Sequence, residues 1–221
     1  MRLNRLVPVL ILFVSGPAFA QDWVEYTSKA DFFTVNFPSE PKVRETTYRS
    51  EYGYDLPARV YSAEAGQSRY SATVVDYSVV EKLATEKSKT CPQENVENCI
   101  GGAQAGLGYW KMDLRGALVN ASWRFFQRDA KVTSYLWEFI DLVEGHQLQL
   151  TNNADQSRTY ASIYLHENRL IILEATVPKG YPPPTIFQQS LGWLDEKGVR
   201  GRYQNIYYNE PDAPKPPMRG R

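Results

Sequence analysis

Residues 159–177 read TYASIYLHENRLIILEATV, and this stretch decides the fold class. Apolar and polar side chains alternate over 159–165, the pair 167–168 supplies a turn, and an apolar run follows at 170–177. Two period-2 segments joined by a short turn predict an antiparallel hairpin. One face of the first strand carries Thr159, Ala161, Ile163 and Leu165, and the other carries Arg158, Tyr160, Ser162 and Tyr164.

The same alternation recurs on both sides of this hairpin. Turn-forming residues such as Gly66-Gln67-Ser68 separate Tyr-, Thr- and Val-containing stretches of strand length. Successive strands joined by short turns pair antiparallel. The further predicted strands are 32–37, 43–54, 56–65, 70–77, 132–142, 146–151 and 203–208.

Helical spacing interrupts the strands in two or three places. Segment 79–89 is a charged helix candidate. After the prolines at 182–184, apolar residues recur at helical spacing from Ile186 to Leu194, and Gly198 ends that helix. We therefore predict an α+β fold, with an antiparallel sheet and two or three helices packed on it.

Residues 113–128 fit both a helix and a strand. A helix capped by Asp113 has an apolar stripe of Leu114, Leu118, Ala121 and Phe125. A strand instead places Val119, Ala121, Trp123 and Phe125 on one face. We favour the helix because Leu114 and Leu118 extend its stripe.

Residues 1–20 resemble a secretory signal peptide. Arg2 and Arg5 precede a short apolar stretch at 6–14, and Ala18-Phe19-Ala20 is a cleavage motif. No other apolar run approaches the length of a membrane span, so we expect none in the mature chain. The sequence thus predicts a periplasmic or secreted protein with one α+β domain at 21–208. The Pro-rich segment 209–221 is predicted to be a disordered tail.

Cys91 and Cys99 are the two cysteines of the chain. In an oxidising compartment, two cysteines at this separation in a polar stretch predict a small disulfide loop. A redox or metal pair is the alternative. The C-x-x-C spacing of redox sites is absent, and two thiols alone do not complete a zinc site.

The composition of the 221-residue chain narrows its function. Lys and Arg together number 25, and Asp and Glu together also number 25. A chain without excess positive charge is not typical of nucleic-acid binders. Aromatic residues make up 13% of the chain, which is too many for a disordered polymer.

Three motifs carry a resemblance to known families. They are DFFTVNFPSEPKV at 31–43, RLIILEATVPKG at 169–180 and FQQSL at 187–191. Together they resemble an uncharacterised proteobacterial exported family of unknown function. The element order is similar to that of the PsbP-like sandwich, whose members are mainly assembly or accessory factors. The resemblance implies a fold and brings no catalytic residues with it.

Catalytic and cofactor motifs are not recognisable in the sequence. No serine lies in G-x-S-x-G, and the glycines at 101–108 lack the Lys-Ser/Thr of a phosphate loop. Asp141, Glu144 and His146 are close in sequence and could ligate a metal, but a solvated turn between two strands explains them better, since no H-x-H or H-E-x-x-H spacing supports a metal site. His166, Glu167 and Arg169 are expected at an exposed hairpin tip. We predict no catalytic residue, no metal and no cofactor.

The remaining functional signal is aromatic. Tyr160 and Tyr164 share a strand face with Arg158, and exposed aromatic and Arg side chains on a rigid sheet suit partner binding. The alternative is that a helix covers this face. The leading hypothesis is a non-catalytic envelope protein that binds a protein, polymer or ligand in an accessory role. The alternative is an enzyme acting on envelope polymers through carboxylates such as Asp141 and Glu144.

Overall fold

The computed structural model describes residues 23–90, 109–210 and 214–220. The predicted signal peptide and the predicted Cys91–Cys99 disulfide lie outside these residues. The described chain forms two antiparallel sheets and three α-helices, which confirms a strand-dominated α+β fold. Within the same residues, no helix is both long enough and apolar enough to cross a membrane.

The described residues form twelve strands and three α-helices. The strands are β1 (Val24–Ser28), β2 (Phe33–Phe37), β3 (Lys42–Arg49), β4 (Asp55–Ala65), β5 (Ser68–Asp76), β6 (Ala130–Ile140), β7 (Val143–Asn152), β8 (Arg158–His166), β9 (Arg169–Val177), β10 (Gly192–Leu194), β11 (Arg200–Tyr203) and β12 (Met218–Gly220). The helices are α1 (Val80–Lys89), α2 (Tyr109–Phe126) and α3 (Thr185–Gln188).

The large sheet has seven strands in the order β3-β4-β5-β9-β8-β7-β6. The predicted hairpin at 159–177 is β8 paired with β9, with Leu165 opposite Leu170. Its turn residues Glu167 and Asn168 both have positive φ, as a tight hairpin turn requires. β6 and β3 are the two edges of this sheet.

One face of the large sheet is covered by the small sheet, whose order is β1-β2-β10-β11-β12. Phe33, Val35 and Phe37 of β2 pack with Trp193 of β10 against inward side chains of the large sheet. These residues are fully buried. The sequence predicted one sheet, whereas the structure has a sandwich of two.

Helices α1 and α2 cover the opposite face of the large sheet. Ala117 and Ala121 of α2 lie in one buried cluster with Leu148 of β7 and Ile163 of β8. The small alanine side chains allow the helix to approach the sheet closely. One face of the large sheet therefore packs against the small sheet, and the other packs against the helices.

Residues 113–126 are helical, as the apolar stripe predicted, and the helix ends at Phe126, two residues before the predicted end. Asp113 does not cap the helix. α2 includes Tyr109, so Asp113 lies in its second turn, where it is fully buried. Neither carboxylate oxygen has a hydrogen bond of good geometry, although the Ser50 hydroxyl is close enough to lower the pKa. Burial is the larger effect and raises the pKa of Asp113.

Three predictions for the C-terminal part are wrong. The strand expected at 203–208 is not formed, because β11 ends at Tyr203 and Tyr207 makes only an isolated bridge with Val143. The expected helix from Ile186 to Leu194 is only the single turn α3, and Gly192–Leu194 is strand β10. The expected tail does pack over residues 214–220. Met218–Gly220 pairs with β11, and the Met218 side chain contacts the core between the sheets. Backbone hydrogen bonds with the edge strand β11 stabilise this segment, although it contains few apolar residues.

Candidate functional site

Four exposed aromatic side chains form a continuous surface on α2 and β6. Trp123 and Phe126 come from α2, and Tyr135 and Trp137 come from β6; we call these four residues the aromatic surface. Trp123 is 59% exposed and Trp137 is 66% exposed. Large aromatic side chains with this exposure are typical of surfaces that bind a partner.

Ring contacts connect the aromatic surface. Trp123 stacks on Phe126 at 6.2 Å, and Phe126 meets Tyr135 edge-on at 5.3 Å between ring centroids. His146 of β7 stacks under Trp137 at 6.4 Å and meets Tyr135 edge-on at 5.3 Å. The rings therefore support one another and keep a defined arrangement.

Local geometry explains why these side chains stay exposed. Ala121 and Phe125 occupy the inner stripe of α2, which leaves Trp123 on the outer side of the helix. Tyr135 and Trp137 are two residues apart, so both point to the face of the sheet on which α2 lies. No described strand lies beyond β6 to cover them.

A buried histidine lies below the aromatic surface. The Nδ1 atom of His146 is 2.8 Å from the Ser122 hydroxyl oxygen and 3.1 Å from that of Tyr135. Burial lowers the pKa of His146, so the ring is neutral at neutral pH. Ser122 is buried and also donates to the Leu118 carbonyl at 2.9 Å, which suits a structural hydroxyl better than a nucleophile.

The residues predicted for partner binding are largely buried. Tyr164 is fully buried beside Trp193, at 5.7 Å between ring centroids, and Tyr160 is 2% exposed. Arg158 lies over the Tyr160 ring and donates to the Tyr181 carbonyl. The prediction of an exposed face is therefore wrong for both tyrosines. The face is covered, as the alternative held, but mainly by the small sheet.

The sequence cluster of Asp141, Glu144 and His146 does not become one site. Asp141 faces Arg202 of β11, with 3.9 Å between its Oδ1 atom and the arginine Nε, whereas His146 faces α2. Among the described residues, no group of three His, Cys, Asp or Glu side chains is arranged to hold a metal ion. The pair Asp141 and Glu144 gains no support as a catalytic pair from these contacts.

A second feature is a cavity of about 420 Å³ at one end of the sandwich. It lies where the β8–β9 turn, the residues after β10 and the C-terminal segment meet. Both charge signs and an apolar wall line it. The lining residues are Phe32, Glu167, Arg169, Leu194, Asp195, Glu196, Tyr203, Lys215, Pro216 and Met218.

His166 lies behind this cavity and is not exposed, contrary to the sequence prediction. It is 1% exposed, and its Nε2 atom is 2.7 Å from the Tyr203 hydroxyl oxygen. Burial lowers the pKa of His166 to about 3, and burial also raises the pKa of Tyr203. Both groups are therefore neutral at neutral pH and supply hydrogen bonds instead of charge.

Backbone strain is present at the cavity wall. Phe32 has φ 58°, which is unusual for a bulky side chain. Its carbonyl accepts a hydrogen bond from the Leu194 N–H at 3.0 Å, and its ring lies 4.6 Å from the Arg169 guanidinium. Strained residues held by such contacts are frequent at binding sites.

Comparison with known proteins identifies no family. No family model and no curated protein matches the chain. Among solved structures, the chain is similar to cyanobacterial PsbP (CyanoP) from Synechocystis sp. PCC 6803, with 12% identity and a TM-score of 0.38 over 74% of this chain and 85% of that chain. At this identity and TM-score the similarity supports no argument about fold or function.

The sequence contained one signal for the aromatic surface. Trp123 and Phe126 lie outside the apolar stripe that predicted α2, so a helix leaves Trp123 unburied. The strand interpretation of the same segment placed Trp123 on a buried face and concealed this signal. The edge position of β6 depends on the order of strands, which no local pattern reports.

Proposed function

We propose that the chain is an exported, non-catalytic envelope protein that binds a partner through the aromatic surface. The proposal rests on one observation: four exposed aromatic rings on α2 and β6 that are held in place by ring contacts. The buried Ser122–His146 contact supports the arrangement of these rings. Export to the periplasm or medium is proposed from the signal-like residues 1–20 and from the two cysteines.

The aromatic surface suits a protein or polymer partner. Large aromatic side chains bury much area at a low cost in conformational entropy, and they are frequent among residues that dominate binding energy. A rigid arrangement of the rings reduces the ordering cost of binding. An accessory or assembly role needs such a surface and no catalytic group.

Crosslinking in the native cell envelope tests this proposal. The wild-type chain is compared with the double variant Trp123→Ala, Trp137→Ala and with the control Tyr181→Ala, Tyr208→Ala. The control removes two aromatic side chains that are exposed elsewhere. We expect the first variant to lose its crosslinked products and the control to keep them. Equal crosslinking of both folded variants would refute the assignment of the surface.

The cavity favours a second candidate function, the binding of a small ligand. Its volume of about 420 Å³ lies within the range of small-molecule sites. Arg169 provides positive charge, Glu196 provides negative charge, and Phe32 and Leu194 provide an apolar wall. This combination complements an amino acid with an apolar side chain.

Calorimetric titration with L-phenylalanine tests the second candidate. We expect saturable binding by the wild-type chain and at least severalfold weaker binding by Arg169→Gln. The control Arg219→Gln changes an arginine outside the cavity lining and should bind like the wild type. Absence of binding to the wild-type chain would rule out this ligand class.

A further inference from the structure

Within residues 23–90, 109–210 and 214–220, no strand pairs with the outer edge of β6. β6 is 11 residues long and lies at one end of the large sheet, where β7 is its neighbour among the described residues. The backbone of a long edge strand offers a row of N–H and C=O groups that an added strand can pair with. Natural proteins usually protect such edges with charged side chains or proline.

The opposite edge of the same sheet has this protection. β3 carries Lys42, Arg44, Glu45 and Arg49, all exposed. In β6, the regular segment 134–140 contains a single charged residue, Glu138. Its carboxylate accepts a hydrogen bond from the Tyr164 hydroxyl at 2.9 Å, so it is already engaged within the subunit. The β6 edge is therefore apolar where the β3 edge is charged.

The regular part of β6 has defined limits. An irregularity in the pairing with β7 lies between Val132 and Ser134, and the turn at Asp141 and Leu142 begins after Ile140. A strand added to this edge therefore pairs over seven residues, 134–140. The midpoint of that segment is Trp137.

We infer that the occupant of this edge is a second copy of the chain, paired antiparallel about a two-fold axis beside Trp137. In this register Trp137 faces Trp137 of the second copy, and Tyr135 faces Phe139 of the second copy. Tyr135, Trp137 and Phe139 are all exposed in the single chain and share one face. Aromatic cross-strand pairs stabilise antiparallel sheets, and no like charges lie directly opposite each other.

The pairing extends the proposed function and depends on it in part. Two seven-stranded sheets become one continuous sheet, and the two aromatic surfaces lie next to each other across the axis. The dimer thus offers the partner a surface about twice as large. The pairing is testable without the partner.

Sedimentation velocity of the mature chain at increasing concentration tests the inference. We expect a reversible dimer for the wild type. Tyr135→Lys alone and Phe139→Glu alone each place a charge opposite an aromatic ring and should weaken the dimer about tenfold, because two symmetry-related pairs are affected. Thr46→Lys on β3 is the control and should dimerise normally. Circular dichroism verifies that each variant is folded.

The double variant Tyr135→Lys, Phe139→Glu tests the register. The two new charges face each other across the axis in the proposed pairing, whereas they are too far apart within one strand to form a pair. We expect the double variant to dimerise again and to become sensitive to salt. Failure of this rescue, or a wild-type chain that stays monomeric, would overturn the inference. Loss of envelope crosslinking by Trp123→Ala, Trp137→Ala would still support the proposed function in that case.

Discussion

His166 shows how the position of one residue in the fold changes its chemistry. The sequence places it at a hairpin tip, where a histidine titrates near its ordinary pKa. In the structure its ring lies 4.4 Å from the Trp193 ring and is enclosed by Tyr203 and Tyr207. The folded protein therefore holds the neutral imidazole, with a pKa of about 3.

This burial predicts a loss of stability in mild acid. Between pH 6.5 and pH 3 the unfolded chain binds a proton at His166 and the folded chain does not, so the free energy of unfolding falls as the pH falls. At pH 5 the loss relative to pH 7 is about 2 kcal/mol. His166→Gln should flatten this profile. Urea unfolding at both pH values measures the effect.

The control for this prediction is His146→Gln. His146 is also buried, but the reduction of its pKa is smaller, so this variant should keep most of the wild-type dependence on pH. A His166→Gln variant with an unchanged profile would show that another group titrates in this range.

Cys91 and Cys99 provide a second prediction at this scale. We expect a disulfide between them, because the proposed export would bring the chain into an oxidising compartment and the loop is short. Mass spectrometry after alkylation without reductant should find neither cysteine alkylated. Replacement of both by Ser should lower the midpoint of thermal unfolding by several degrees, since such a loop contributes about 2 kcal/mol. Two alkylated cysteines in most molecules would contradict the prediction.

At the scale of elements, the close contact between β7 and β8 depends on a glycine. The sequence indicated Gly145 as a turn residue, but the turn is at Asp141 and Leu142, and Gly145 lies within β7. Gly145 is directly opposite Tyr164 of β8. The tyrosine ring lies across the glycine, which the absence of a side chain permits.

Gly145→Ala should therefore destabilise the protein. An added Cβ atom would lie 2.3 Å from Tyr164 Cδ1 and 2.5 Å from the Ile163 carbonyl oxygen. The ring cannot move freely, because it is fully buried and its hydroxyl donates to Glu138. We expect a loss of about 2–3 kcal/mol in denaturant unfolding.

Gly220→Ala is the matched control for this substitution. Gly220 also lies in a strand, but an added Cβ atom would be 3.8 Å from Val199 Cγ1, which is an ordinary contact. We expect a change within about 0.5 kcal/mol. Equal effects at the two positions would show that the contact with Tyr164 relaxes easily.

At the scale of the whole molecule, the C-terminal segment links the small sheet to the β8–β9 turn. Met218–Gly220 completes the small sheet, and the Lys215 ammonium pairs with the Glu167 carboxylate at the cavity. Removal of residues 214–221 should lower the free energy of unfolding by about 2 kcal/mol, chiefly through lost burial of Met218 and lost strand pairing. The rest of the fold should persist.

Thermal unfolding and hydrogen exchange check this expectation. Amide exchange should increase in β11, which loses β12 and keeps only its pairing with β10, and should stay slow in β8 and β9. The variant Lys215→Ala removes the ion pair but keeps strand β12. It should lower the free energy of unfolding by less than about 1 kcal/mol, because the lysine is exposed. Unchanged exchange in β11 after truncation would contradict the stabilising role of β12.

The sequence by itself determined the elements whose pattern is local. The alternation at 159–177 predicted the β8–β9 hairpin, and the stripe of Leu114, Leu118, Ala121 and Phe125 predicted helix α2. These patterns are readable because each depends on residues within a few positions of one another. They also determined that the two faces of β8 differ.

Only the tertiary structure decided which face meets solvent. Tyr164 is buried because Trp193, which is distant in sequence, packs against it. The small sheet itself combines β1 and β2 with strands from the C-terminal part. Trp137 is exposed because β6 lies at the edge of the large sheet. The period of a strand reports that its faces alternate, whereas burial depends on which elements pack against each face. That choice is made by contacts between residues far apart in sequence, and it moved the candidate site from Tyr160 and Tyr164 to the aromatic surface.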